Sequence, residues 1–162
     1  MAEEAQRCKW QHPADSEHTC QEPALPSSKH GHCIFHEQSR DKDADALTDV
    51  IHRKLGGHDF DFSGYYFPFS VLAFEGLEFD ESVSFSFAEF LGMNTSFSGA
   101  TFLGPETDFS FAQFSGGNTM FTETVFKSKQ VSFQGARFVG EEVEFAGARF
   151  LAENTDFTCS HF

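Results

Sequence analysis

A chain of 162 residues with a formal charge of −14 has room for one ordinary domain, or for a small domain followed by a repeat array. Its 23 Phe stand beside two Tyr and one Trp, so one aromatic residue type is used for a structural purpose. The acidic balance argues against direct nucleic-acid or membrane-surface binding, and no stretch approaches the roughly 18 apolar residues of a membrane span.

Met1 to Lys9 carries Glu3 and Glu4 and no apolar core, so it does not read as a signal peptide; a soluble, cytoplasmic protein is expected. Charge is unevenly placed. Residues 1–59 hold 11 acids and 7 bases, whereas residues 60–162 hold 14 acids and 4 bases, a net of −10. A surface of that sign attracts a basic partner, or simply keeps a Phe-rich rod in solution.

Residues 1–40 contain Cys8, Cys20, Cys33 and His36 at the spacing C-x11-C-x12-C-x2-H. An odd local cysteine count argues against disulfides and for a metal. Three thiolates and one imidazole suit tetrahedral zinc, and a closed four-ligand set implies a structural ion with no position open to substrate. Cys33 and His36 are close enough in sequence for one turn to supply both ligands. The first half is looser, so His12, His18, His30 and His32 are each candidates to replace a named ligand. A leader with incidental cysteines is the alternative, but about 59 residues with few apolar groups then have little reason to fold.

Residues 41–59 read as a capping helix and linker. Leu47, Val50, Ile51 and Leu55 fall at helical spacing, with acids at the start from Asp43, Arg53 and Lys54 near the end and Gly56 to stop it. Such a helix would cover the first coil of the array behind it.

From residue 60 the pattern is periodic. Phe occurs at 85, 97, 109, 121, 133, 145 and 157, and again at 90, 102, 114, 126, 138, 150 and 162, two columns each at an interval of 12. Phe62 with Phe67 and Phe74 with Phe79 keep the five-residue pairing, with one residue missing between Phe79 and Phe85. Two residues before the second Phe of each pair the chain carries Ala88, Ala100, Ala112, Thr124, Ala136, Ala148 and Ser160; before the first, Val83, Thr95, Thr107, Thr119, Val131, Val143 and Thr155. Residues two apart in extended backbone point the same way, so each Phe and its partner at minus two face inward. Glu89, Asp108, Arg137, Glu144, Arg149 and Asp156, each just before a Phe, then face solvent. Spacings of 5 and 7 do not hold one face of an α-helix, which leaves a stacked β-coil. Gly99, Gly135 and Gly147 mark sharp turns. In the first coil the partners at minus two are larger, namely Phe60, Tyr65, Leu72 and Leu77, as expected under a cap.

The segments FSGATF (97–102), FQGARF (133–138) and FAGARF (145–150) resemble the pentapeptide-repeat family, and the resemblance spans residues 60–162. It implies an all-β solenoid, a right-handed quadrilateral β-helix. Here two residues are inserted in alternate repeats, giving 5 plus 7 in place of 5 plus 5. A four-faced coil then closes after every second such unit, stacking position i on i+24, with wide corners at Gly104 to Glu106 and Gly116 to Asn118. A flat coil that stacks i on i+12 is the rival. Phe87 and Phe111, outward exceptions spaced by 24, favour the larger coil. A little over four coils at about 4.8 Å each make a rod on the order of 20 Å long. PAL (23–25) and CIFH (33–36) resemble small Cys/His modules found ahead of such arrays.

A solenoid does not leave its ends bare. The expectation at the far end is a homodimer through the coil near Phe162, with truncation after Phe162 as the alternative. No phosphate-cradling Gly loop, nucleophile elbow or H-E-x-x-H is present, Ser86, Ser98 and Ser110 recur because the repeat recurs, and Cys159 sits at an outward position. The expected function is therefore a non-enzymatic scaffold for an unknown protein partner. The alternative comes from the resemblance, since some members mimic duplex DNA toward type II topoisomerases. That role needs aligned rows of acids, which Lys127, Lys129, Arg137 and Arg149 interrupt.

Overall fold

The computed structural model describes residues 6–162. An antiparallel hairpin comes first, β1 (Gln11–His12) and β2 (Asp15–Thr19). A helix follows, α1 (Ala44–Gly56), and the rest is a β-solenoid of about four turns. The helix starts where Asp43 accepts the Ala46 N–H at 3.0 Å, and its last-turn Arg53 and Lys54 complement the C-terminal end of the dipole. It runs one residue past the expected stop: Gly57, not Gly56, closes it, its N–H reaching the Arg53 carbonyl at 3.0 Å. Leu47 and Ile51 bury against the first coil, so the helix caps it.

The solenoid has four parallel sheets, one per face. Gln113 lies between Glu89 and Arg137, and Val131 lies between Thr107 and Thr155. The Asn118 amide donates to the Asn94 side chain on the coil below, 24 residues earlier in the chain. One turn is therefore two of the 5-plus-7 units, and the flat coil of a single unit is excluded. Successive Phe pairs lie on opposite sides of it. The missing residue shortens only the first turn: Glu78 pairs with Thr101, 23 positions on, whereas Val83 already pairs with Thr107, 24 on.

Inside, the Phe rings form four columns: Phe62–85–109–133–157, Phe67–90–114–138–162, Phe74–97–121–145 and Phe79–102–126–150. Neighbours within a column are 4.6 to 5.3 Å apart and within 10° of parallel. Rings of different pairs meet edge to face, as Phe97 does with Phe85 and Phe109, whereas the two rings of one pair are tilted, as Phe109 and Phe114 are at 43°. Each buried Phe contributes about 1.5–3 kcal/mol from burial, and each favourable ring pair about 0.5–1.5 kcal/mol more. Polar residues at inward positions are satisfied: the Thr124 hydroxyl donates to the Phe97 carbonyl at 2.8 Å, and Thr107 and Ser128 bond each other at 2.7 Å. One expected inward residue is not inward. Leu72 is half exposed, because Val71 takes the ladder place opposite Thr95 and an extra residue bulges out before Phe74.

The position two past the first Phe of every pair is left-handed, in Gly64, Gly76, Gly99, Gly135 and Gly147 but also in Phe87, Phe111, Glu123 and Cys159. For the non-glycine residues this costs on the order of 1 kcal/mol each. Ladder bonds hold them there, such as Phe87 N–H to the Ser110 carbonyl at 2.9 Å. At the wide corners the backbones of successive coils nearly touch, and a Cβ on Gly116 would lie 1.8 Å from the Gly92 carbonyl oxygen.

The two ends differ. Phe60, Phe62 and Tyr65 are buried under the N-terminal segment and α1, whereas Phe162 at the other end is 72% exposed. No helix among the described residues is long and apolar enough to cross a membrane.

Candidate metal centre

Three separate stretches bring the cluster together. Cys8 directly follows the antiparallel bridge of Arg7 with Pro23, its N–H bonded to the Glu22 carbonyl at 2.9 Å, and Cys20 directly follows β2. Cys33 and His36 share one tight turn, closed by the Glu37 N–H on the Cys33 carbonyl at 3.0 Å. The three Sγ atoms and one ring nitrogen of His36 all lie within 4.8 Å of one another.

The individual separations have the size a tetrahedral ion requires. Cys20 and Cys33 Sγ are 3.8 Å apart, and His36 Nδ1 is 3.6 Å from Cys8 Sγ and 3.3 Å from Cys33 Sγ. A tetrahedron with metal–sulfur bonds of about 2.3 Å and a metal–nitrogen bond of about 2.0 Å has S···S edges of about 3.8 Å and S···N edges of about 3.5 Å.

The other ring nitrogen fixes the tautomer. His36 Nε2 lies 2.9 Å from the carbonyl oxygen of Ser63. A carbonyl only accepts, so Nε2 carries the proton and Nδ1 presents its lone pair to the three sulfurs. This is the outer-shell arrangement that orients a ligating histidine. Trp10 stacks on the same ring at 4.2 Å and 8°, and Tyr65 meets it edge-on at 5.1 Å. His36 is 3% exposed and held on three sides.

The sulfurs share protons unequally. Hydrogen bonds from Cys20 and then Cys33 hold the Cys8 thiol far below the ordinary thiol range, and the Cys33 backbone N–H points at its sulfur from 3.2 Å. Cys20 is pushed up by its hydrogen bonds to Cys33 and Cys8 and by burial. Cys33 is pulled down by Cys20, but its bond to Cys8 and its burial outweigh that and leave it at about 11. A cation replacing the shared protons would turn all three into thiolates.

His12, His18, His30 and His32 are not brought into the cluster. His12 Nε2 sits 3.0 Å from Ser86 Oγ, His18 Nε2 2.8 Å from Asp61 Oδ2, and His30 and His32 face each other at 5.8 Å. The His12–Ser86 contact has the distance of a base and its nucleophile but the wrong tautomer. His12 Nδ1 accepts the Ala14 N–H at 3.2 Å, so Nε2 donates to the serine instead of taking its proton.

Several residues that hold the site were not legible as such. Trp10 lies flat over Gly64, where a Cβ would come within 2.1 Å of the indole. Lys42 reaches from the N-terminal segment to bond the carbonyls of Phe35 at 2.9 Å and Tyr66 at 2.7 Å. Burial lowers its pKa to about 7, and a neutral amine has two N–H groups for these two acceptors. A lone Trp and one Lys among several give no periodic signal. The glycine at 64 is the single hint, since the corner opposite Trp10 has to be bare.

No family model, no curated protein and no solved structure matches the chain.

Proposed function

We propose that the protein is a non-enzymatic interaction scaffold in which a structural zinc ion, held by Cys8, Cys20, Cys33 and His36, locks the N-terminal segment onto a solenoid of the pentapeptide-repeat type. The observation that carries this reading is the hydrogen bond from His36 Nε2 to the Ser63 carbonyl, because it ties the ligand set to the first coil of the rod. Filling the site would then rigidify the cap and the solenoid together. A complete Cys3His set has no open position for a substrate, which favours a structural ion. The four-faced coil with Phe pairs five apart is compatible with the pentapeptide-repeat architecture.

The experiment is metal analysis of the purified full chain. We expect one zinc per chain, lost in Cys33→Ser; substoichiometric metal, with thermal unfolding indifferent to a chelator, overturns the reading.

One observation favours the DNA-mimic alternative. The face built from Val83–Ser84, Glu106–Asp108, Gln130–Ser132 and Asn154–Asp156 carries the acids Glu106, Asp108 and Asp156 and none of the four bases of the solenoid. Inhibition of gyrase supercoiling at micromolar protein would promote this reading, and its absence would remove it.

A further inference from the structure

The three cluster thiols are not equivalent. Cys8 is 6% and Cys33 is 1% exposed, whereas Cys20 is only half-buried. Cys20 lines a cavity of about 250 Å³ with Trp10, His18, His36, Lys54 and Tyr65 around it. That space holds several molecules of water size, each with a share of about 30 Å³ in the liquid. Behind Cys20, away from solvent, Cys33 Sγ stands 3.8 Å from its sulfur. An accessible thiol with a buried thiol in contact can be oxidised at the first sulfur and resolved by the second; exposure and not acidity selects Cys20 here, since its hydrogen bonds to Cys33 and Cys8 hold its proton.

We propose that Cys20 is a modification site for hydrogen peroxide and that Cys33 is its resolving thiol. Cys20 Sγ attacks one peroxide oxygen; the S–O bond forms, the O–O bond breaks and hydroxide leaves as water, giving a sulfenic acid. Cys33 Sγ then attacks Cys20 Sγ, the S–S bond forms, the S–O bond breaks and a second water leaves. Two thiols and one peroxide thus become one disulfide and two waters, the sulfurs losing two electrons. Where a metal holds both sulfurs as thiolates, the two protons come from solvent. The inference rests on the metal reading only in its consequence: the disulfide removes two of four ligands, leaving Cys8 and His36 too few to retain the ion. Peroxide would thereby loosen the cap from the first coil, and Trp10, the one Trp of the chain, sits against His36 to report it.

The test uses the reduced full chain, with metal content measured first. Equimolar hydrogen peroxide should lower the intact mass by 2 Da and link the tryptic peptides Trp10–Lys29 and His30–Arg40. It should release the bound metal to a chromogenic chelator and change Trp10 fluorescence, all reversed by dithiothreitol. Cys20→Ser should slow loss of free thiol at least tenfold. Because that variant also removes a cluster ligand, Cys159→Ser serves as the second: it removes the exposed cysteine and should leave rate and linkage unchanged. First modification at Cys8 or Cys159, or a cluster untouched by peroxide while zinc is stoichiometric, overturns the proposal and leaves the metal reading standing. A Cys20–Cys33 link in a chain that never held metal supports the proposal and overturns the metal reading.

Discussion

The N-terminal segment and the solenoid reach order by opposite means. In the solenoid every turn repeats the same instruction, and 18 Phe stack in four columns whose rungs differ little from one another. Loss of one ring there is a local loss. Residues 6–40 hold two short strands and little apolar core, and their order converges on four side chains and the solenoid edge beneath them. A repeated apolar lattice distributes stability, and a polar cluster concentrates it.

The largest expected effect comes from that concentration. Chelation, or His36→Ala, should unfold the segment before Gly57 while the parallel sheets persist. The measurement is Trp10 fluorescence against far-ultraviolet circular dichroism, and the order of the loss is set by binding energies of about 10–16 kcal/mol for structural zinc sites. If both signals vanish together, cap and rod form one cooperative unit and the contrast between them is broken. Next in size is Phe109→Ala in the middle of the stack, expected to cost about 3–5 kcal/mol in a denaturant melt. Gly116→Ala should cost about 1–3 kcal/mol, because the Gly92 carbonyl occupies the space a Cβ needs.

Lys42 sharpens the comparison, because it stitches the two regions. With a folded pKa of about 7 and an unfolded value near 10.4, the unfolded chain binds an extra proton between these limits. The contribution of this group therefore makes stability rise with pH across that window. Melting temperatures at pH 7 and pH 9 should differ in that direction, and Lys42→Met should flatten the difference. The smallest effect is a gain: Glu123→Gly relieves a left-handed residue on an exposed corner and should add about 0.5–1 kcal/mol.

Most of the solenoid was legible because its rule is local. Alternation of inward and outward residues is a property of extended backbone, so the columns led by Phe85 and Phe90 could be read directly. Leu72 departs from the rule because a bulge between Val71 and Phe74 shifts the pattern by one residue. The left-handed corners at Phe87, Phe111, Glu123 and Cys159 were not legible as turns, because ladder bonds from the next coil impose a conformation those residues do not prefer.

The sequence by itself determined the repeat period, the inward columns, the capping helix and the set Cys8, Cys20, Cys33 and His36 worth testing. The tertiary structure decided that a turn takes two 5-plus-7 units and not one, since only pairing between coils fixes a register. It also decided which ring nitrogen of His36 faces the sulfurs, because that choice belongs to a carbonyl 27 residues away on the solenoid. Spacing along a chain can nominate side chains, but their convergence and orientation come from the surface they pack against.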